Sequence, residues 1–479
     1  MDRKAVLLVS VYLLLLSDSS VSSTGLFRVQ RKFAGNANSM TELKSHDSRR
    51  HGRMLGAVDL HLGGIGLPSE AGLYFGEIGL GTPSKKYYVQ VDTGSDILWV
   101  NCIQCKRCPT KSDLGVELTL YDPNSSKSGK LVTCDQPFCS SHNRDGIPTC
   151  TPDMLCQYDV TYGDGSTTAG YFVKDVLHYN QASGNLQTTE GNGSVIFGCG
   201  AQQSGDLGTS GEAVDGILGF GQSNSSVISQ LASAGKIKKV FGHCLDSVNG
   251  GGIFAIGNIV RPKVKTTPMV PYQDHYNVIM KAIEVGGTVL RLPSDIFDTG
   301  DRSGTIIDSG TTLAYLPETV FTPLINTIMS SQPAINLHAV QEFQCFKFTG
   351  SVDDGFPSVT LHFDSDLSLT VYPHEYFFQI GDDAWCIGWQ NSGMQSKDGK
   401  DVTLLGDLVL SNKLVVYDLE NQTIGWTEYN CSSNIQVQDE KTGSIYSIGA
   451  HDISTASGLQ MWSFRVLLCL AAALINLIH

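Results

Sequence analysis

Two short stretches of this chain combine a carboxylate with hydroxyls and a glycine. They are Val91-Asp92-Thr93-Gly94-Ser95 and Ile307-Asp308-Ser309-Gly310-Thr311. Each acid ends an apolar run, KKYYVQV in the first case and GTII in the second. Taken singly, such a stretch reads as a turn, with the acid bonding its own backbone and the glycine able to take positive φ. From average composition, one such tetrapeptide arises in a chain this long with a probability of about 0.03. A strand-led pair therefore points to a duplicated device. Two carboxyls held about 3 Å apart cannot both ionise, so they share one proton. One then serves as general base and the other as general acid, and a water between them is activated to attack a carbonyl. The pair titrates as a unit, so neither Asp92 nor Asp308 is permanently the acid. The hydroxyls and amides of Thr93, Gly94, Ser95, Ser309, Gly310 and Thr311 are suited to hydrogen-bond the carboxylates and hold them coplanar.

Placing two such loops face to face requires two equivalent scaffolds. Roughly a hundred residues after each aspartate come two aliphatics and a glycine, Ile217-Leu218-Gly219 and Leu404-Leu405-Gly406. The chain reads as one β lobe duplicated about a pseudo-twofold axis. Many short apolar runs punctuated by Gly, Asn, Asp and Ser predict an all-β architecture with few short helices. One such helix is expected at SSVISQLASAG, with Gly235 near its end. The first lobe is expected over 69–262 and the second over 263–431, separated by a central cleft.

Residues 102–156 stand apart. They hold seven cysteines among polar and turn residues and read as a stapled surface insert. The chain opens with Arg3 and Lys4, an apolar run Ala5–Leu16 and small residues to Ser23, which is a secretory signal peptide over 1–23. An oxidising compartment then implies that cysteines pair. Of the 13 cysteines, Cys469 lies in the apolar tail, leaving twelve. Because seven is odd, at least one insert cysteine must bridge outside the insert. The run Cys102-x-x-Cys105-x-x-Cys108 has a zinc site as its rival reading. Secretion, and the absence of a histidine nearby before His142, favour bridges, and no metal is expected. Asn124, Asn192, Asn224, Asn421 and Asn430 are glycosylation sites by sequence pattern.

On these motifs the chain resembles a pepsin-family aspartic endopeptidase over about residues 70–431. VDTGSDILWVNC, the cysteine-rich insert and FGCG at 197–200 are closer to the atypical, nepenthesin-like plant members than to animal pepsins. The resemblance implies that Asp92 and Asp308 are the catalytic dyad and that Ser95 and Thr311 supply supporting hydroxyls. It implies that Tyr162, followed by Gly163, belongs to a flap that closes on substrate, with Trp99 hydrogen-bonding that tyrosine. It also implies a Cys345–Cys386 bridge, and less directly Cys199–Cys431. The stretch between Trp99 and Tyr162 is longer than in animal relatives, and Asp96 is an additional acid, expected as a solvated or hydrogen-bonded turn residue. A fold relative of the xylanase-inhibitor kind, a binding protein without activity, is the rival; such chains lose a catalytic acid or disrupt the flap.

The ends of the chain carry opposite signals. Between Gly25 and Gly56 there are seven Arg or Lys against two Asp or Glu. Residues 24–68 read as a basic pro-segment able to cover an acidic cleft. The formal net charge is -14, and removing residues 1–56 and 459–479 takes it to about -20. That balance disfavours nucleic acid as a partner and predicts an acid optimum with pro-segment release. Residues 432–458 are polar and expected as a linker. Small residues, with Ser454, Ala456 and Ser457 as attachment candidates, precede an apolar tail over 459–479 with no cation after Arg465. This is the pattern of a glycosylphosphatidylinositol anchor signal, placing the protein on the outer face of the plasma membrane or otherwise in the extracellular space or apoplast. The rival is a transmembrane helix, disfavoured because the tail is short and lacks a flanking cation after it. The expected partners are polypeptide substrates and the membrane, with a monomeric chain and no cofactor.

Overall fold

The computed structural model describes residues 56–453, apart from 71, 143–149, 152, 210, 294–295, 298–303, 341–342, 382, 393–401 and 441. The expected signal peptide, most of the basic segment, the apolar tail, Cys469 and the attachment candidates Ser454, Ala456 and Ser457 lie outside the described residues.

Strands dominate, and their burial follows period two. In Lys85–Asp92 the side chains of Tyr87, Val89 and Val91 are buried while Tyr88 and Gln90 are half-buried between them. Val359, Leu361 and Phe363 alternate likewise in Val359–Phe363. β-branched and aromatic residues fit such half-buried surfaces. The helix expected near Gly235 is present as Val227–Ser233, with the Ser226 side chain accepting from the Ser229 amide at its start.

Each aspartate strand is followed by the same threading. In the first lobe, Gly216–Gly219 lies between Lys85–Asp92, to which it is parallel, and Leu98–Lys106, to which it is antiparallel. In the second, Thr403–Leu405 is parallel to Thr305–Ile307 and antiparallel to Ala314–Leu316. The duplication read from the two aspartates and the two aliphatic-aliphatic-glycine segments is thus a duplication of topology. The lobes are joined by a shared sheet. Val240–Leu245 from the first half pairs antiparallel with Lys413–Asp418 from the second. Their facing rings, Phe241 and Tyr417, stack with centroids 4.5 Å apart. Burying these apolar faces together makes the lobes one body.

The disulfides correct one expectation. Cys199 does not meet Cys431: it bridges to Cys102, and Cys431 bridges to Cys244. The reason is register. Leu98–Lys106 runs parallel to and beside Gln187–Ser204, with Val100 opposite Cys199, which brings the Cys102 and Cys199 Cα atoms to 5.4 Å. Cys102 is the insert cysteine that leaves the insert. Cys105–Cys108, Cys134–Cys150 and Cys139–Cys156 close within it, and Cys345–Cys386 pairs in the second lobe.

Two boundaries also shift. The sequence reading ends the basic segment at 68, yet Val58–Leu60 and Leu62–Ile65 are strands of the body, pairing with Gly252–Ile256 and Leu73–Leu80. Ala57, Val58, Leu60 and Leu62 are buried, so this stretch is core. The reading treats 432–458 as linker, yet Ile435–Gln438 and Ile445–Ile448 form a hairpin on Asn258–Arg261. Ile435, Val437 and Ile448 face inward, and their polar alternates mask the pattern in the sequence.

Candidate active site

Lys85–Asp92 ends on Asp92, and Thr305–Ile307 stops one residue before Asp308. Both carboxyls are buried. Each is held in the same way by its own loop. Asp92 Oδ1 accepts the Gly94 N–H at 2.8 Å and Oδ2 accepts the Ser95 hydroxyl. Asp308 Oδ1 accepts the Gly310 N–H at 2.8 Å and Oδ2 accepts the Thr311 hydroxyl at 2.7 Å.

The loops also press against each other. A Cβ on Gly310 would sit 2.0 Å from Asp92 Oδ1, and one on Gly94 would sit 2.5 Å from Asp308 Oδ2. Real Cβ atoms essentially never approach within 3.0 Å, so any side chain here would force the loops apart. Each carboxyl therefore lies against the backbone of the opposite loop. Two bonds cross between lobes at this point. The Ser309 N–H donates to Thr93 Oγ1 at 2.9 Å, and Gln90 Nε2 donates to the Gly310 carbonyl at 3.2 Å.

Burial, and then the charge of Asp308, push the Asp92 carboxyl up to about 7, against the lowering pull of the bonds from Ser95 and Gly94. Both effects penalise the ionised form. A third acid stands behind the second loop. Asp407 is buried, and its Oδ1 has no hydrogen-bond partner among the described residues. Burial first, then the charges of Asp308 and Asp92, hold its carboxyl well above the usual range.

Tyr162 follows the strand Gln157–Thr161, at the tip of a hairpin with Thr167–Gly184. Its N–H donates to Ser166 O at 2.9 Å, and the Gly165 N–H donates back to Tyr162 O at 3.0 Å. Trp99 Nε1 donates to the Tyr162 hydroxyl at 2.7 Å, and burial and then the charge of Asp92 push that hydroxyl's proton affinity up. The hairpin tip thus stands beside Asp92. Nothing lies within 4 Å of where a Cβ on Gly163 would be, so the tip is open beyond the tyrosine. Asp96 is a hydrogen-bonded turn residue, its Oδ1 accepting the Ser223 N–H at 3.0 Å. Asn124, Asn192, Asn224, Asn421 and Asn430 are all exposed.

Sequence reasoning missed three contributors. Gln90 is two residues before Asp92 and looks like an ordinary strand position. Tyr417, whose buried hydroxyl lies beside Thr93, arrives from a strand more than three hundred residues away and carries no local signal. Asp407 had one: it follows the second aliphatic-aliphatic-glycine segment where Phe220 follows the first.

Comparison with known proteins gives a consistent picture. Residues 74–258 match the family described as Xylanase inhibitor N-terminal, and 275–428 match Xylanase inhibitor C-terminal. The chain is 54% identical over 442 residues to Aspartic proteinase 36 of Arabidopsis thaliana, covering 92% of this chain and 91% of the relative. It is 50% identical over 460 residues to Aspartic proteinase 39 of the same plant, covering 96% and 95%. Aspartic proteinase nepenthesin-2 of Nepenthes gracilis is 26% identical over 406 residues, covering 80% and 84%. Among solved structures, that of edgp superimposes with a TM-score of 0.62 at 19% identity, covering 78% of this chain and 95% of edgp. That likeness concerns the fold alone.

Proposed function

Because the chain belongs to the plant aspartic proteinases, a pepsin-like family, we propose that it hydrolyses internal peptide bonds at acid pH, using a water activated between Asp92 and Asp308. The observation that carries this reading is the mutual burial of the two acid loops, each glycine lying against the other loop's carboxyl.

The chemistry follows from one shared proton. With one carboxyl ionised and the other protonated, the anion takes a proton from the water as it attacks the peptide carbonyl. The neutral carboxyl gives its proton toward the developing oxyanion. Both carboxyls already accept an amide and a hydroxyl bond from their own loops, so their orientation is set before substrate arrives. The Tyr162 hairpin then covers the substrate backbone, with its tyrosine held by Trp99 beside Asp92. The pH sense comes from the shared proton. Burial and the neighbouring charge, which raise the Asp92 carboxyl to about 7, hold that proton on the pair, and its loss above that pH leaves no acid for the oxyanion. Activity therefore falls on the alkaline side near pH 7.

The same reading extends to the whole chain. A signal peptide directs it to the secretory pathway, the basic segment is removed on activation, exposed asparagines carry glycans, and a glycosylphosphatidylinositol anchor tethers a monomer to the outer cell surface. The sequence patterns at both ends and the six disulfides support this.

The test is pepstatin-sensitive cleavage of a denatured protein at pH 4, abolished in Asp92→Asn. Equal cleavage by that variant and wild type would overturn the reading in favour of an inert binding protein. Release of surface protein by phosphatidylinositol-specific phospholipase C checks the anchor.

A further inference from the structure

We infer that Asp59, His61 and His451 form a site for a divalent transition-metal ion of the zinc class, which clips the first strand of the body to residues near its C-terminal end. One ligand atom from each residue lies within 4.8 Å of the other two. Two imidazoles and a carboxylate, with a fourth position left for water, are a donor set that zinc takes in tetrahedral form. The site uses no residue of the aspartate loops, and it departs from the expectation of no metal drawn from the sequence. It stands whether or not the dyad cleaves peptides.

The donors come from segments that backbone bonds already fix. Asp59 sits mid-strand in Val58–Leu60, opposite Ala255. His61 is the residue between that strand and Leu62–Ile65. His451 makes a two-way backbone bridge with Gly252, both bonds 2.8 Å, and the Ile453 N–H donates to Leu62 O at 2.9 Å. Two segments, with 392 positions between Asp59 and His451, are thus held side by side before any ion arrives.

The three donors are near one another, and one ring must turn to complete the site. With metal–ligand distances of about 2.1 Å, two donors on a tetrahedral ion lie about 3.4 Å apart. His451 Nε2 is 3.0 and 3.1 Å from the two Asp59 oxygens, so a small widening admits the ion. The His61 ring lies on the His451 ring with centroids 3.8 Å apart and planes at 26°, so His61 must turn out of this stack for the in-plane lone pairs of both rings to meet one ion. Its Nε2 faces the Asn180 amide nitrogen at 3.4 Å, which requires that nitrogen to carry a lone pair rather than a proton. That contact is long and readily displaced. Asp59 is only 4% exposed, and a buried carboxylate is paired, hydrogen-bonded or bound to a metal. A lone Asp59–His451 pair is the competing account, and it gives His61 no ligating role.

The experiment uses the full chain without a polyhistidine tag, stripped with EDTA and titrated with zinc chloride at pH 7.5 by calorimetry, with thermal unfolding in parallel. One zinc per chain should bind, raise the unfolding temperature by several degrees, and be weakened at least about 100-fold in His451→Ala and in His61→Asn. His61→Asn leaves the Asp59–His451 pair in place, so it decides the matter even where His451→Ala fails to fold. Zinc uptake and thermal shift in His61→Asn equal to wild type, or no uptake by wild type, would overturn the site.

Discussion

In the first lobe the residue after the threaded glycine is Phe220, a buried ring packed on Phe241 and Phe254. At the matching place in the second lobe stands Asp407, a buried acid with one oxygen unpartnered among the described residues. The hydroxyls after the catalytic aspartates differ too. Thr93 accepts the Ser309 N–H, whereas the buried Ser309 hydroxyl has no partner among the described residues. So two loops that hold their carboxylates with the same pair of bonds sit in unlike surroundings. Duplication supplied the matched acids. Divergence behind them placed the crossing bond on the first loop and a third carboxyl on the second.

The largest effects test what the loops share. Asp92→Asn and Asp308→Asn should each lower kcat/KM by at least about 10³-fold, and the double variant should be hardly worse, because the two act as a unit. A large gap between the two single variants would break the equivalence.

The next test exchanges the backing residues. Phe220→Asp removes a buried ring, costing about 3–5 kcal/mol, and adds an unpaired buried acid. It should yield little folded protein, whereas Asp407→Asn should fold and keep activity at pH 4 within a few-fold. Solubility and circular dichroism check the first, and steady-state kinetics the second.

A smaller contrast separates the hydroxyls. Thr93→Val leaves the buried Ser309 N–H without an acceptor, a loss of about 1–3 kcal/mol, and should lower both the unfolding temperature and kcat. Ser309→Ala removes a hydroxyl with no partner and should change activity less than about twofold. Equal losses in the two variants would show that the asymmetry has no energetic content.

The smallest effect is on pH-dependent stability. Asp407 and Asp92 have raised carboxyls in the folded state. Between their unfolded values near 4 and their folded values, the native state holds protons that the unfolded chain has released. Stability therefore falls as pH rises through that window. Wild type should unfold at a lower temperature at pH 7.5 than at pH 4.5, and the drop should shrink in Asp407→Asn.

What could be read in advance follows the same division. Both aspartates, their flanking hydroxyls and the two threaded segments carry local patterns, the tyrosine–tryptophan pair is legible only through the family resemblance, and the structure brings all of them to one place. The Cys199 partner is not legible because parallel pairing of Leu98–Lys106 with Gln187–Ser204 is a long-range register that no local pattern encodes. The strands at 58–65, 435–438 and 445–448 read as pro-segment and linker because their neighbours are polar or basic, while their own alternation is short.

The sequence by itself determined that two equivalent acid loops exist, since a repeated motif is a property of neighbouring residues. Only the tertiary structure decided that Asp407 joins them, that Thr93 rather than Ser309 carries the crossing bond, and that burial beside Asp308 raises the Asp92 carboxyl. Those outcomes depend on burial and on distances between segments hundreds of residues apart, and both exist only once the chain has closed on itself.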